Sequence, residues 1–236
     1  MSLRLYIIAL FSSLAILSGC QRSGIQAYWD KYKFNFDDIQ KEEDHFADFA
    51  TLAINSPKKD SFKAIDRLFD KLAKDEVAYY VYTSWIDGVF YSVLSPCRNA
   101  DLYSKAVDRI VTDGVLTESE CEQYKRKREW IGYNQTGTAA TLPGVSVNGE
   151  SVLVLVLDQG CPSCRLALNS LASKPEWADI RKIAICCGYG PAPAADAWEF
   201  YLPPNASAVF DPQMTPVFFV VDEDGNVETE YQFVKY

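Results

Sequence analysis

The spacing of apolar residues divides the chain into a helical first part and a second part that mixes strands with a helix. From about residue 36 to residue 132, apolar positions recur at the three- and four-residue intervals of helices that bury one face. The pattern predicts four helices: one over Ile39–Ala53, one capped by Ser61, a long buried one over Ala78–Leu94, and one that begins at a capping box, Thr117–Glu120.

The pattern changes beyond Tyr133. Residues 134–144 are rich in small and polar residues and indicate a linker. Val152–Leu157 is a continuous aliphatic run, which is typical of a strand buried on both faces. A helical pattern follows over Arg165–Leu171, and two further strand-like segments lie at Ile180–Ile185 and Pro216–Val221. A turn at Asp224-Gly225 joins the last strand to Asn226–Tyr231.

These elements predict an α+β protein with two domains. Residues 20–135 form an all-α domain, and residues 136–236 form a small α/β layer domain. The composition supports a packed core, because 48% of the residues are apolar and 14% are aromatic. No helical segment of the mature chain is predicted to span a membrane, since the apolar Ala78–Leu94 carries Asp87 and several tyrosine hydroxyls.

Charge and histidine content exclude several classes of function. The chain carries 23 basic and 32 acidic residues, a net charge of -9, so we expect no nucleic-acid partner. His45 is the sole histidine, which excludes mechanisms and metal sites that need two imidazoles. Because it lies beside Glu42, Glu43 and Asp44, we expect a surface histidine that binds no ligand.

The first twenty residues have the pattern of an export signal. Arg4 precedes an apolar stretch from Leu5 to Leu17, which suits a signal peptide and is shorter than the roughly 20 residues that span a bilayer. The following Leu17-Ser18-Gly19-Cys20 resembles the bacterial lipoprotein signal, in which cleavage precedes an acylated cysteine. The alternative is an ordinary secretory signal with an incidental cysteine.

The lipoprotein resemblance implies a location. Residues 1–19 are then a signal peptide, and Cys20 carries fatty acids such as palmitate that anchor the chain stably in a membrane. Because Gln21 follows the cysteine with no acidic run behind it, we expect an anchor in the outer membrane that faces the periplasm. In that oxidising compartment, thiols tend to pair, so the six remaining cysteines need a role.

The candidate chemistry follows the first buried strand. Cys161-Pro162-Ser163-Cys164 opens the next helix, so Cys161 lies where the helix dipole and unpaired N–H groups favour a thiolate. Cys164 lies one turn further on and can close a disulfide with it. We predict Cys161 as the nucleophile and Cys164 as the resolving thiol. The alternatives are an inert disulfide or half of a zinc site completed by Cys186 and Cys187; we expect neither a metal nor a cofactor.

Residues 136–236 resemble the thioredoxin superfamily, and within it the membrane-anchored periplasmic thiol–disulfide oxidoreductases. The resemblance is carried by the CPSC motif after Val152–Leu157, and by Met214–Asp222 followed by Asp224-Gly225. It implies that Pro216 is a cis proline packed against the motif. It also implies that the Thr215 backbone binds an extended substrate, and we expect Pro162 and Ser163 to contact the substrate too.

The sequence departs from the family's pattern in three places. Gly160 stands where the family usually has tryptophan, and the strand Val152–Leu157 lacks the acidic residue that moves the proton of the resolving thiol. Asp158 is nearby, but its closeness to the motif argues against that role. The chain ends at Tyr236 without room for the usual terminal helix, so we expect one sheet face to be covered by another part of the protein, such as the helical domain.

The other four cysteines form two candidate pairs. Cys186 and Cys187 follow a predicted strand on the side of the sheet that carries the motif, where they are either an accessory redox pair or two small buried side chains. Cys97 and Cys121 flank part of the helical domain and are expected to form a disulfide, which would contribute roughly 3.5 kcal/mol through loop closure.

Two functions fit the sequence. The preferred one is a lipid-anchored thiol–disulfide oxidoreductase that exchanges disulfides with cysteine-containing exported proteins and with a thiol electron donor or acceptor. The alternative is a binding or scaffold lipoprotein whose thioredoxin-like domain is a platform without catalysis. The missing carboxylate and the glycine at position 160 favour the alternative, and the motif at the start of a helix favours the first.

Overall fold

The computed structural model describes residues 24–234 except 148, 189, 192–194 and 230. The predicted signal peptide and the predicted lipidation site Cys20 lie outside the described residues. The described chain divides into two compact units. The first unit contains residues 24–91 and 97–121, and the second contains residues 92–96 and 122–234. The two units do not test whether residues 20–135 and 136–236 fold independently, so the domain boundary at residue 135 stays a prediction.

Five α-helices and one π-helical turn account for most of the first half of the chain. Asp38, Asp75 and Asn99 cap the helices that begin at Ile39, Glu76 and Ala100, because each side chain accepts a hydrogen bond from a backbone N–H of the first turn. The bounds are α1 Ile39–Ile54, α2 Lys58–Leu72, α3 Glu76–Ile86, the π-helical turn Asp87–Tyr91, α4 Ala100–Asp113 and α5 Glu118–Gly132. No helix among the described residues is long and apolar enough to cross a membrane.

Two predicted helix boundaries were wrong, and one was confirmed. Helix α2 begins at Lys58, and Ser61 lies inside it as a buried residue whose hydroxyl donates to the Ala53 carbonyl. The helix predicted over Ala78–Leu94 ends as an α-helix at Ile86 and continues only as the π-helical turn. The capping box is present: the Glu120 N–H donates to Thr117 Oγ1 (3.3 Å), and the Thr117 N–H donates to Glu120 Oε2 (2.8 Å).

A buried carboxyl group lies inside the first unit. Glu42 is 2% exposed and accepts hydrogen bonds from the Tyr32 hydroxyl (2.7 Å), the Asn35 N–H (2.7 Å) and the Tyr82 hydroxyl (2.8 Å). His45 is half-buried and stacks on the rings of Tyr28 and Tyr32, 4.7 and 3.9 Å away. The expected surface histidine is therefore wrong, because aromatic residues from an earlier segment of the chain cover the imidazole.

The second unit is built on a five-stranded mixed sheet. The strands are β1 Val152–Leu157, β2 Arg181–Cys186, β3 Glu199–Tyr201, β4 Val217–Val221 and β5 Gln232–Phe233, in the order β3-β2-β1-β4-β5. The central strand β1 runs parallel to β2 and antiparallel to β4, while β3 is parallel to β2 and β5 is antiparallel to β4. The shorter helices are α6 Pro162–Ala172, α7 Ala206–Val209, and 3-10 turns at Pro175–Trp177 and Pro212–Met214.

Every residue of β1 is buried, which confirms the prediction of a strand covered on both faces. Leu153, Leu155 and Leu157 pack in one apolar cluster with residues of α6 and with Trp198. The alternate residues of β1 pack on the other face with α7, Phe210 and the segment 140–147. The second unit thus covers this face with its own segments, where the sequence had suggested the helical domain.

Candidate functional site

The CPSC motif lies where β1 ends and α6 begins. Leu157 ends the strand, four residues connect it to α6, and Pro162 is the first residue of that helix. Cys161 is the N-cap: its backbone is extended (φ -86°, ψ 117°), and its Sγ accepts the Cys164 N–H at 3.3 Å. Proline suits the first helical position because its φ is already helical and it lacks an N–H that would stay unpaired. The predicted strand–motif–helix arrangement is therefore present.

Hydrogen bonds to the Cys161 sulfur favour its ionised form. Partial burial is the largest single influence and raises the pKa, but donors from Cys164 and Ser163 together outweigh it and hold the pKa of Cys161 below its ordinary value of 9.0. The Ser163 hydroxyl lies 2.9 Å from Cys161 Sγ. Donors that stabilise a thiolate lower the pKa because they favour the charged form. Ser163, predicted to contact substrate, lies against the nucleophile.

Cys164 has the opposite environment. It is 1% exposed and packs in the apolar cluster of β1 and α6. Burial, and then its hydrogen bond with Cys161, raise the pKa of Cys164 to about 12, although a backbone hydrogen bond with Asp158 and, to a smaller extent, the Thr215 side chain lower it in part. The two thiols of one motif thus differ strongly in acidity. This difference gives the outer sulfur the character of a nucleophile and keeps the inner one protonated.

The segment before β4 lies beside Cys164. The peptide bond between Thr215 and Pro216 is cis, as the family resemblance implies. A 3-10 turn precedes it, and Thr215 Oγ1 donates to the Pro212 carbonyl at 2.9 Å. The Thr215 side chain contributes to lowering the pKa of the buried Cys164 thiol. The predicted role of the Thr215 backbone in holding an extended substrate stays a prediction.

The departures from the family's pattern have structural counterparts. Gly160 is exposed, and its N–H donates to Asp158 Oδ1 at 2.7 Å, so it closes a tight loop before the motif. Trp198, which the sequence reading did not single out, is buried in the same cluster as Cys164 and donates from Nε1 to the Leu168 carbonyl. A large aromatic side chain from a distant segment therefore contributes to the apolar surroundings of the motif.

The adjacent Cys186 and Cys187 lie on opposite faces of the sheet. Cys186 ends β2 and packs in the cluster that contains Cys164, whereas Cys187 packs in the cluster on the other face. Burial is the main cause that raises the pKa of Cys186 to about 11 and that of Cys187 to about 12. Both thiols are thus held protonated, which disfavours a nucleophilic role. Their predicted role as an accessory redox pair stays open.

Cys97 and Cys121 have different neighbours in the first unit. Cys97 Sγ lies 3.9 Å from Thr51 Oγ1, while Cys121 Sγ contacts the carbonyl oxygens of Ile110 and Leu116. Among residues 24–234 the described cysteines form no disulfide, so the expected Cys97–Cys121 bridge is not formed in this structure. The sequence spacing permitted a bridge, but spacing does not fix which way two side chains point.

The described part of the chain holds no group of three or more His, Cys, Asp or Glu side chains that could bind a metal ion. Cys186 and Cys187, which the zinc alternative required together, pack in different clusters. An arrangement of one acidic, partly exposed thiol and one buried thiol can perform thiol–disulfide exchange.

Comparisons with known proteins agree with this fold. A solved structure of a thioredoxin-like protein from Bacteroides caccae is similar to the chain, with a TM-score of 0.65 and 18% sequence identity over 89% of this chain and 87% of that one. The protein therefore has an α+β architecture of N-terminal helices followed by a thioredoxin-like domain. A family model described as a domain of unknown function (DUF5106) matches residues 25–134. No curated protein matches the sequence.

Proposed function

We propose that the protein is a thiol–disulfide oxidoreductase that exchanges disulfides with exported proteins through Cys161 and Cys164. The observation that carries the proposal is the contrast between the two thiols of the motif. The pKa of Cys161 is lowered by hydrogen bonds at the N-terminus of α6, and the pKa of the buried Cys164 is raised to about 12. An inert structural disulfide has no need of this difference.

The exchange begins at the outer sulfur. The Cys161 thiolate attacks one sulfur of a client disulfide, the client S–S bond breaks, and the other client sulfur leaves as a thiolate that takes up a proton. The product is a mixed disulfide between Cys161 and the client. Ser163 and the Cys164 N–H, which hydrogen bond with Cys161 Sγ, hold the sulfur ionised before the attack.

The second step uses the inner sulfur. Cys164 loses its proton and attacks Cys161 Sγ, the mixed disulfide breaks, and the second client sulfur leaves as a thiolate. Two electrons have passed from the dithiol to the client, and the motif is left as a Cys161–Cys164 disulfide. An external dithiol then returns the two electrons. With an oxidised motif and a reduced client, the same steps run in reverse.

The proposal includes a location. The sequence Leu17-Ser18-Gly19-Cys20 supports a lipid anchor at Cys20, and the absence of an acidic run after Gln21 supports an outer membrane position facing the periplasm. Radiolabelled palmitate in growing cells tests the anchor. Label on the protein, lost in Cys20→Ala, is expected; equal label in the variant contradicts the anchor.

An exchange assay on the full chain tests the activity. The reduced protein is mixed with a disulfide-bonded peptide, and reduction is followed with the wild type, Cys161→Ser and Cys164→Ser. We expect the wild type alone to reduce the peptide, one disulfide for each dithiol, because no other reductant is present. We expect Cys164→Ser to accumulate mixed disulfides, because the first step remains and the second is lost. Cys121→Ser, which removes a thiol of the first unit, is the matched control.

The scaffold alternative predicts a different result. A platform that binds without exchange gives no reduction above background and no mixed disulfide with Cys164→Ser. Equal reduction by the wild type and Cys161→Ser also contradicts the proposal. A reduction potential of the motif between roughly −270 and −120 mV is expected for an exchange protein, whereas a value below about −300 mV indicates a structural bridge.

A further inference from the structure

An open cleft lies where the loops after β1 and β2 meet the residues before α7, and the carbonyl oxygen of its lining residue Asp158 accepts the Cys161 N–H at 3.2 Å. It encloses about 510 Å3, and its lining includes Asp158, Gln159, Cys187, Gly188, Leu202 and Pro212. We call it the Asp158 cleft. The described residues that line it include no lysine or arginine, although they include a carboxylate. Its position next to Cys161 places it within reach of a peptide that is bound at the motif.

Asp158 and Gln159 both direct side-chain oxygen atoms toward Gly188, which lines the cleft with them. Asp158 Oδ1 accepts the Gly160 N–H. Gln159 Oε1 is fully enclosed, and Gln159 Nε2 donates to the Gly190 carbonyl at 3.4 Å. Asp158 is only half-buried, so its carboxylate is the acceptor that a ligand with N–H groups can use.

The electrostatic surroundings favour a cation. Burial is the main cause of the raised pKa of Cys187, but the charges of Cys186, Asp158 and Asp211 raise the pKa further. The charges of Asp158 in the cleft lining and of the buried Asp211 thus both act on Cys187, another lining residue. Another wall is apolar, because Leu202 is 50% exposed and lies next to Pro203 and Pro204. An aliphatic stem with a charged end matches this combination of surfaces.

We propose that the Asp158 cleft binds a lysine or arginine side chain that lies close to the reactive cysteine of the client. The inference rests on the proposed exchange activity and names its substrate class: cysteine-containing peptides with a neighbouring basic residue. The N–H groups of the cation donate to the Asp158 carboxylate, and its methylene groups pack on Leu202. A basic residue then holds the client sulfur near Cys161 Sγ.

Matched peptides test the inference with the reduced full chain. Each fluorogenic peptide disulfide carries arginine, citrulline or glutamate at one position within two residues of the cysteine. Citrulline keeps the shape of arginine and lacks its charge. At the best position we expect arginine peptides to react about threefold to tenfold faster than citrulline peptides, because a partly exposed ion pair is worth about that much. Glutamate peptides react more slowly than both.

Two variants distinguish binding in the Asp158 cleft from general attraction by the net charge of the chain. Asp158→Asn keeps an oxygen for the Gly160 N–H and removes the charge, so the ratio of arginine to citrulline rates should fall to near one. Asp179→Asn removes an exposed carboxylate in the loop before β2, at the opposite end of that strand, and should keep the ratio. Raising the salt concentration should reduce the ratio in the wild type.

The outcomes distinguish the inference from the proposed function. Cys161-dependent exchange at equal rates for arginine and citrulline peptides overturns the inference and leaves the exchange activity standing. A ratio that persists in Asp158→Asn, or falls equally in Asp179→Asn, assigns the preference to the net charge of the chain and also overturns it. Absence of Cys161-dependent exchange with every peptide overturns the proposed function and the inference together.

Discussion

The two units differ in whether a hydrogen-bonded polar group is accessible to solvent. In the first unit, Glu42 is 2% exposed and receives three hydrogen bonds inside an aromatic core. In the second unit, Cys161 also receives several hydrogen bonds, but it lies at a helix N-terminus and remains partly exposed. A satisfied group without access to solvent stabilises the fold, whereas a stabilised charge with access can react.

The comparison predicts that a change at Cys161 affects the rate of exchange and hardly the stability, whereas a change at Glu42 affects the stability. Cys161→Ser is expected to reduce the rate of disulfide exchange by at least about a hundredfold, because the nucleophile is removed. Its free energy of unfolding should change by less than about 1 kcal/mol, since the site is partly exposed. Peptide reduction and thermal unfolding of the same samples measure both. A loss of exchange that follows only a loss of folding would contradict this assignment.

Glu42→Ala is expected to have the converse effect on stability. Removing the carboxyl group leaves the Tyr32 and Tyr82 hydroxyls and the Asn35 N–H without their acceptor, which should cost about 3 kcal/mol or more. Denaturant unfolding measures the loss. Glu43→Ala is the matched control, because Glu43 is the exposed neighbour on the same helix and should change stability by less than about 0.5 kcal/mol. Equal effects of the two variants would show that burial does not set the role of Glu42.

Ser163→Ala tests how far the Ser163 hydroxyl lowers the pKa of Cys161. It removes the hydroxyl that lies 2.9 Å from Cys161 Sγ, so the pKa of Cys161 should rise and its alkylation at neutral pH should slow about threefold to tenfold. The rate of labelling by iodoacetamide is the measurement. Ser173→Ala, at the other end of α6, is the control and should leave the rate unchanged. An unchanged rate in Ser163→Ala assigns the lowered pKa to the backbone and Cys164 alone.

His45 gives the smallest predicted effect. Burial among aromatic rings lowers the pKa of His45 from its usual 6.5, although Glu42 and Asp48 act in the opposite direction. The unfolded chain then binds a proton below about pH 6.5 that the folded chain does not, so the free energy of unfolding falls as the pH drops through this range and is steady above it. Denaturant unfolding between pH 7.5 and 5.5 should show a steeper fall for the wild type than for His45→Gln. Equal slopes would contradict the shift.

Much of the candidate site follows from local sequence. The aliphatic run of β1, the CPSC motif and the proline at the start of α6 are contiguous, and their order alone predicts an N-capping thiol. The opposite environments of Cys186 and Cys187 also follow from the alternation of side chains along a strand, once the strand is extended to Cys186. The strand was predicted to end at Ile185, one residue earlier, so the opposite orientations of Cys186 and Cys187 were not predicted.

The remaining features depend on contacts between distant segments. Trp198 reaches the cluster of Cys164 from a segment far along the chain, and the stacking of Tyr28 on His45 joins residues 17 apart. The Asp158 cleft needs the loops after both β1 and β2. Local spacing contains no information about such contacts. The predicted start of α2 was wrong for a related reason. The buried Ser61 hydroxyl donates a hydrogen bond to the Ala53 carbonyl of α1 and does not cap α2.

The most direct test of the account is the pH dependence of alkylation at Cys161 in the reduced full chain. Site-resolved mass spectrometry follows Cys161 and Cys187 in the same sample from pH 5 to 10. We expect the rate at Cys161 to reach half its maximum below the ordinary thiol pKa of 9.0, while Cys187, whose pKa is raised to about 12, reacts slowly throughout. A midpoint for Cys161 at or above 9.0, or equal rates at the two cysteines, would contradict it.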